Sequence, residues 1–225
     1  MSEVLEPLRI SLLIATAGTL LCVAVGTPAA WVIARSQARL ATVLAAVSLL
    51  PLVLPPTAVG YYLLWLFGRE SAIGRFLIDS LGIQLVFTWP GAAIAAAVVS
   101  VPLFIRTAAA GFEQVDEELL VAARTLVAPW RVFFFVVVPL AWPSLVAACL
   151  IAFARCLGEF GATVVVAASI PGKTRTLPAA IYDANLAGDD RLAHQLALAA
   201  LAVGFVLVLT LTVALQAAVR RSARS

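Results

Sequence analysis

Arg155 and Glu159 are the only charged residues between positions 132 and 170, and they stand four apart inside ARCLGEFGAT. In so apolar a run a lone charge is costly, so each must face a partner or a wet cavity. The i, i+4 spacing puts both on one face of a helix, where they can neutralise each other. Arg before Glu is the weaker order on an isolated helix, which leaves room for a tertiary partner. Gly158 and Gly161 flank the carboxylate and would admit a neighbouring backbone. These residues read as an element of a translocation path, as a gate hinge, or as an ion pair that fixes helix packing. The packing or hinge role is favoured over direct substrate contact.

The remaining reactive side chains do not assemble into a catalytic set. Gly172, Lys173 and Thr174 resemble the end of a phosphate-binding GxxxxGK(S/T) loop, but the leading glycine is replaced by Ala167 and Pro171 precedes the tripeptide. Without a glycine-rich cradle of backbone donors the motif is a decoy. His194 is alone. Glu113, Asp116, Glu117 and Glu118 are better read as acids favoured at a helix start by its dipole than as a carboxylate cluster. Cys22, Cys149 and Cys156 lie in apolar segments with no CxxC pattern, so neither a disulfide framework nor a metal site is expected.

The elements that carry these residues must live in lipid. The chain has 225 residues, is 63% hydrophobic and has a mean hydropathy of +1.06. That is more apolar surface than a soluble core of this size absorbs. The long Ala-, Leu- and Val-rich runs lack barrel alternation and predict an all-α polytopic membrane protein forming one domain over residues 1–225. A net charge of +3 does not suggest nucleic acid. The N-terminus is acidic before its first apolar run, unlike a cleavable signal peptide, so the first segment is expected to stay as a span.

Five spans are predicted: residues 8–34, 40–67, 89–106, one within 140–169, and 192–219. A six-span alternative divides 133–169. In the second span Pro51, Pro55 and Pro56 with Gly60 must break or kink the helix, since each proline removes a backbone donor. Broken helices in transporters line cavities or moving parts, which makes Pro55, Pro56, Thr57 and Gly60 candidates for a path or hinge beside Arg155, Gly158, Glu159 and Gly161. A kinked packing helix is the plainer reading. Trp65 and Trp89 fall where an interfacial aromatic belt would put them. Arg35, Arg39, Arg106, Arg124, Arg131, Arg220, Arg221 and Arg224 are expected inside, giving an outer N-terminus and an inner C-terminus.

Residues 112–131 form the longest charged loop assigned to the inner face. An acidic start leads into a short Ala-rich helix bearing Arg124, which breaks at Pro129. A compact helix in such a loop reads as a docking handle for a partner in water.

VAARTLVAPWRVFFFVVVPLAWP resembles the EAA loop of binding-protein-dependent ABC importer permeases. PLVLPPTAVGYYLL, FARCLGEFGAT and IPGKTRTLPAAIY are more narrowly similar to permease subunits of molybdate importers, and the likeness covers nearly the whole chain. It implies an importer-type permease fold with a cytoplasmic coupling helix. Ala122, Ala123, Arg124, Thr125 and Leu126 match that helix, with Pro129 following, and Pro139 matches the proline that ends the motif. The family's glutamate is Val121 here, with Glu118 one turn earlier as a substitute polar contact. Val127 takes the place of its glycine, and the segment to Pro139 is one residue short, so a tighter loop is expected.

The resemblance also implies partners: an ATP-binding cassette dimer carrying ATP and Mg, a second copy of the permease, and a periplasmic oxyanion-binding protein. This chain would then bind no cofactor and catalyse nothing, and would sit in a bacterial inner membrane among lipid. Tungstate or sulfate are alternative cargoes, and a standalone secondary transporter or channel is the reading from another class.

Overall fold

The computed structural model describes residues 2–36 and 38–222, and every regular element among them is helical. Among the described residues, four helices are long and apolar enough to cross a bilayer: Glu3–Arg35, Trp89–Glu113, Pro129–Leu157 and Asp190–Thr210. A fifth crossing is obtained if the bent pair Ala41–Val53 and Pro56–Phe67 counts as one span.

The centre of the bundle is α6 (Trp89–Glu113), which packs between α1 (Ser2–Arg35) and α9 (Val138–Leu157). Its buried face is built from small residues, including Ala92, Ala93, Ala95, Ala96 and Ala97. In lipid no hydrophobic force drives helices together, so close packing of small side chains must do it. On the facing α1, Gly18 is set so tightly that a Cβ there would lie 3.2 Å from the Ala93 carbonyl and 3.0 Å from Cys156 Sγ.

The predicted second span is broken more sharply than a kink. It consists of α2 (Arg39–Ser48), α3 (Leu50–Val53) and α4 (Pro56–Phe67), with a 108° turn at Leu54 and Pro55. Pro56 opens α4 at its first position, where the missing N–H costs nothing, and Pro55 is extended, as a residue before proline must be. Between α4 and α6 lie the short helix α5 (Ala72–Arg75) and the π-helical turn Phe76–Ser80.

Two boundaries differ from the sequence reading. The third span continues past Arg106 to Glu113. The fourth begins at Pro129, not near Leu140: α8 (Pro129–Val132), a π-helical turn (Phe133–Val137) and α9 run as one crossing. The wide turn sits just before Pro139, whose ring and missing donor an unbroken α-helical ladder could not accommodate. This crossing ends at Leu157, before Glu159. The piece beyond it, α10 (Gly161–Ala167), has seven residues, far short of the roughly 20 needed to span, so residues 133–169 do not hold two crossings. Helix α11 (Leu177–Leu186) and the long α12 (Asp190–Ser222) complete the chain. Of the arginines expected to hold the C-terminus inside, Arg224 lies outside the described residues, as do the side chains of Arg220 and Arg221.

Candidate functional site

Within 112–131, between the end of α6 at Glu113 and the start of α8 at Pro129, the chain forms α7 (Glu117–Leu126). Asp116 caps it by accepting the Glu118 N–H at 2.8 Å. Glu117 and Glu118 occupy the first turn and Arg124 the last, each charge matched to the helix dipole. One residue, Leu120, is fully buried and pins α7 to the core, with Ala123 half-buried beside it. Beneath lies a cluster in which Trp31 stands edge-on to Phe112 and Phe133, with ring centroids 5.3–6.0 Å apart.

The outer face of α7 is unpartnered. Glu118, Ala122, Arg124, Thr125 and Leu126 are exposed, and so are Val121, Pro129 and Trp130. Leu126 is 83% exposed. After it Val127 is extended, and its N–H still bonds the Ala123 carbonyl, so the chain turns directly into α8. On either side of the buried Leu120, Leu119 and Leu126 lie on one flank of α7 and Val121 with Arg124 on the other, all exposed, and beyond the helix Arg131 is stacked 5.2 Å over the exposed Trp130 ring. Apolar side chains grouped beside arginine are the composition of an interface core. Pro139 lies outside this surface, within the crossing itself.

A residue that the sequence reading treated only as an orientation signal organises the base of α7. Arg35, the last residue of α1, donates from Nη1 to Glu117 Oε2 at 2.8 Å. Its Nη2 donates to the carbonyls of Phe112 and Val115, both at 2.6 Å. It thus satisfies the end of α6 while holding the start of α7. Its spacing from these partners, about 80 positions along the chain, left no local signal.

The two groups of path or hinge candidates meet. Gly60 of α4 packs on α10 so closely that a Cβ there would lie 2.8 Å from the Ala162 carbonyl oxygen. A Cβ on Gly161 would lie 3.1 Å from Pro56 and 3.3 Å from Thr57. Pro55 and Thr57 are exposed at the bend. Gly158 does not serve as expected: its nearest neighbour is the Ala154 carbonyl of its own turn, at 3.7 Å.

Arg155 and Glu159 pair at 2.6 Å, yet not on one helix face. Glu159 lies past the end of α9, in the break, and is 2% exposed. Its Oε2 meets Arg155 while its Oε1 accepts the Ala162 N–H at 2.8 Å, so the carboxylate ties α9 to the first turn of α10.

The decoy tripeptide is a structural turn at the end of the bundle opposite α7. Thr174 is buried, donates to the Ala167 carbonyl at 2.9 Å and accepts the Ile170 N–H at 3.1 Å. His194 is exposed near the start of α12.

Four or five apolar crossings, one of them sharply broken, and a capped, exposed helix at one end define a multi-pass helical membrane protein. Its fold matches that of a chain in the inward-facing MetNI methionine ABC transporter, with a TM-score of 0.72 over 95% of both chains at 14% identity. The chain belongs to the family of binding-protein-dependent transport system inner membrane components, whose pattern matches residues 26–225. It is therefore a multi-pass inner-membrane protein.

Among relatives, it is 44% identical over 178 residues to the molybdenum transport system permease protein ModB of Escherichia coli (strain K12), covering 79% of this chain and 78% of that one. It is 38% identical to the putative molybdenum transport system permease protein YvgM of Bacillus subtilis over 208 residues, 92% of each chain. The sulfate transport system permease protein CysW of Synechococcus elongatus is 35% identical over 207 residues, 92% of this chain and 71% of that one.

Proposed function

We propose that this chain is the membrane-spanning permease of an ATP-driven importer that moves molybdate into the cell. The observation that carries the reading is its similarity to molybdenum permeases, which extends over 92% of both chains in the Bacillus subtilis relative. Two copies would stand on a dimer of ATP-binding subunits, with a binding protein delivering the oxyanion from outside. ATP and Mg belong to the partner subunit, and this chain does no chemistry.

In this reading the exposed face of α7 seats in a groove of the ATP-binding subunit. The partner's closure displaces α7, and Arg35 passes the displacement to the ends of α1 and α6. At the bend, α4 and α10 are joined through glycine contacts that permit sliding without large side chains in the way. Glu159 keeps α10 tied to α9 during that movement. A divalent tetrahedral anion is better passed by hydroxyls and backbone donors than by a deep cationic trap, which would slow its release. That accords with the few charged residues within the spans.

A sulfate permease is the second reading, favoured by the match to the sulfate permease over 92% of this chain. The test is uptake of labelled molybdate into liposomes holding the permease, its ATP-binding subunit and its binding protein, with tungstate and sulfate as competitors. ATP-dependent molybdate uptake that excess sulfate leaves intact is expected. Sulfate competing as well as molybdate would support the second reading. Flux through the permease alone, without ATP, would defeat both.

A further inference from the structure

At the end of the bundle opposite α7, the start of α1, the start of α6 and the turn 170–174 enclose a cleft of about 720 Å³. Its lining is apolar at Leu5, Leu13, Phe87 and Trp89, and its charged groups are Arg9, Lys173 and Glu6. Glu6 is already engaged: its Oε1 accepts the Gly172 N–H. That bond fixes a turn whose Gly172 has φ of +74°, a conformation that favours glycine, and the turn sets Lys173 on the cleft that Arg9 also lines. Among the described residues neither Arg9 nor Lys173 makes an ion pair.

Below Arg9 the same face of α1 continues through Leu13, Thr16 and Leu20, all exposed. At 1.5 Å per residue, Leu13 and Leu20 lie about 6 and 16 Å deeper than Arg9, well into hydrocarbon. The Thr16 hydroxyl donates to the Leu12 carbonyl at 2.7 Å, so this face presents no unsatisfied donor to lipid. Trp89 stands at the cleft's edge, 42% exposed, in the place of an interfacial anchor.

We propose that this cleft binds an anionic phospholipid, with its phosphate held by Arg9 and Lys173 and an acyl chain lying along Leu13 and Leu20. The cations and the apolar stripe are stacked in the order in which such a lipid presents its phosphate and its chain. A soluble partner could meet the cations but has no means of reaching Leu20. Each Lys or Arg near a membrane surface favours anionic lipid by about fivefold (about 1 kcal/mol), so two, discounted for their exposure to water, give roughly tenfold preference for an anionic headgroup. The glycine-lysine turn that resembles a nucleotide loop thus holds a phosphate of another kind.

The experiment is native mass spectrometry of the full chain, purified with its associated subunits and equilibrated with equal phosphatidylglycerol and phosphatidylethanolamine. Retention of phosphatidylglycerol should exceed that of phosphatidylethanolamine about tenfold, and Arg9→Gln with Lys173→Gln should bring the two near parity. Arg9→Lys should keep the preference, which separates loss of charge from misfolding. An unchanged preference in the double Gln variant would overturn the proposal. So would displacement of the lipid by millimolar inorganic phosphate, which would mark a soluble-anion site. Loss of the permease dimer in place of lipid would also overturn it, by assigning the cleft to a second copy. The measurement reads binding without transport, so its outcome is independent of the cargo.

Discussion

Arg35 and Glu117 meet at 2.8 Å across 82 positions of sequence, joining the last residue of α1 to the first residue of α7. The ion pair is the lesser part of this contact. Glu117 is 63% exposed, and exposed pairs contribute about 0–1 kcal/mol. The two bonds from Arg35 to the Phe112 and Val115 carbonyls are partly buried, and a charged donor lost there costs about 1.5–3 kcal/mol. Arg35→Ala should therefore lower thermal stability in detergent clearly, while Glu117→Gln lowers it little. Arg35→Lys should not restore it, because one ammonium cannot reach three acceptors in the guanidinium's planar arrangement. Equal effects of Arg35→Ala and Glu117→Gln in a melting assay would show that the carboxylate, not the carbonyls, carries the contact.

The three glycines near the break should rank by what surrounds them. Gly60→Ala forces the Ala162 backbone to move and should cost about 1–3 kcal/mol as overpacking. Gly161→Ala needs a shift of only a few tenths of an ångström in Pro56 and Thr57 and should cost less. Gly158→Ala meets nothing closer than 3.7 Å at an ordinary φ of −85° and should be close to neutral. Melting temperatures of the three variants check the order, and a strongly destabilised Gly158→Ala would contradict it.

The buried carboxylate of Glu159 makes the Arg155 pair asymmetric. Removing Arg155 alone leaves that charge uncompensated and should cost about 2–3 kcal/mol, the usual penalty reduced because Arg155 is 29% exposed. Arg155→Met with Glu159→Gln removes the charge while keeping an acceptor for the Ala162 N–H, and should recover most of the loss. A double variant no better than Arg155→Met in a detergent melt would mean that the pairing itself, and not the orphaned charge, sets the cost.

On the face of α7, Leu126→Glu and Arg124→Glu should each weaken association with the ATP-binding subunit. A central interface side chain contributes about 2 kcal/mol, or roughly 30-fold in affinity. Both residues are exposed, so the permease itself should remain folded and monodisperse. Co-purification of the ATP-binding subunit with each variant is the measurement. Unchanged recovery together with unchanged uptake would remove the docking role from this helix.

Sequence alone determined the elements whose cause is local or compositional. Apolar length required membrane helices, Pro55 and Pro56 required a break, and Asp116 with two glutamates required a helix start. These follow from backbone chemistry and solvent, which act on neighbours along the chain. The pairing of Arg155 with Glu159 was also legible, but its form was not: spacing predicts a shared helix face, whereas the helix ends at Leu157 and the carboxylate closes the gap to α10. The fourth span starts at Pro129, ahead of the expected 140–169, because the π-helical turn Phe133–Val137 joins α8 to α9 without a break, a continuity that apolar patterning does not reveal. Only the tertiary structure decided that Gly60 meets Ala162, that Arg35 holds α7, and that Arg9 and Lys173 share a cleft. Each joins residues far apart in the chain, and close approach depends on how whole helices cross, which no local preference encodes.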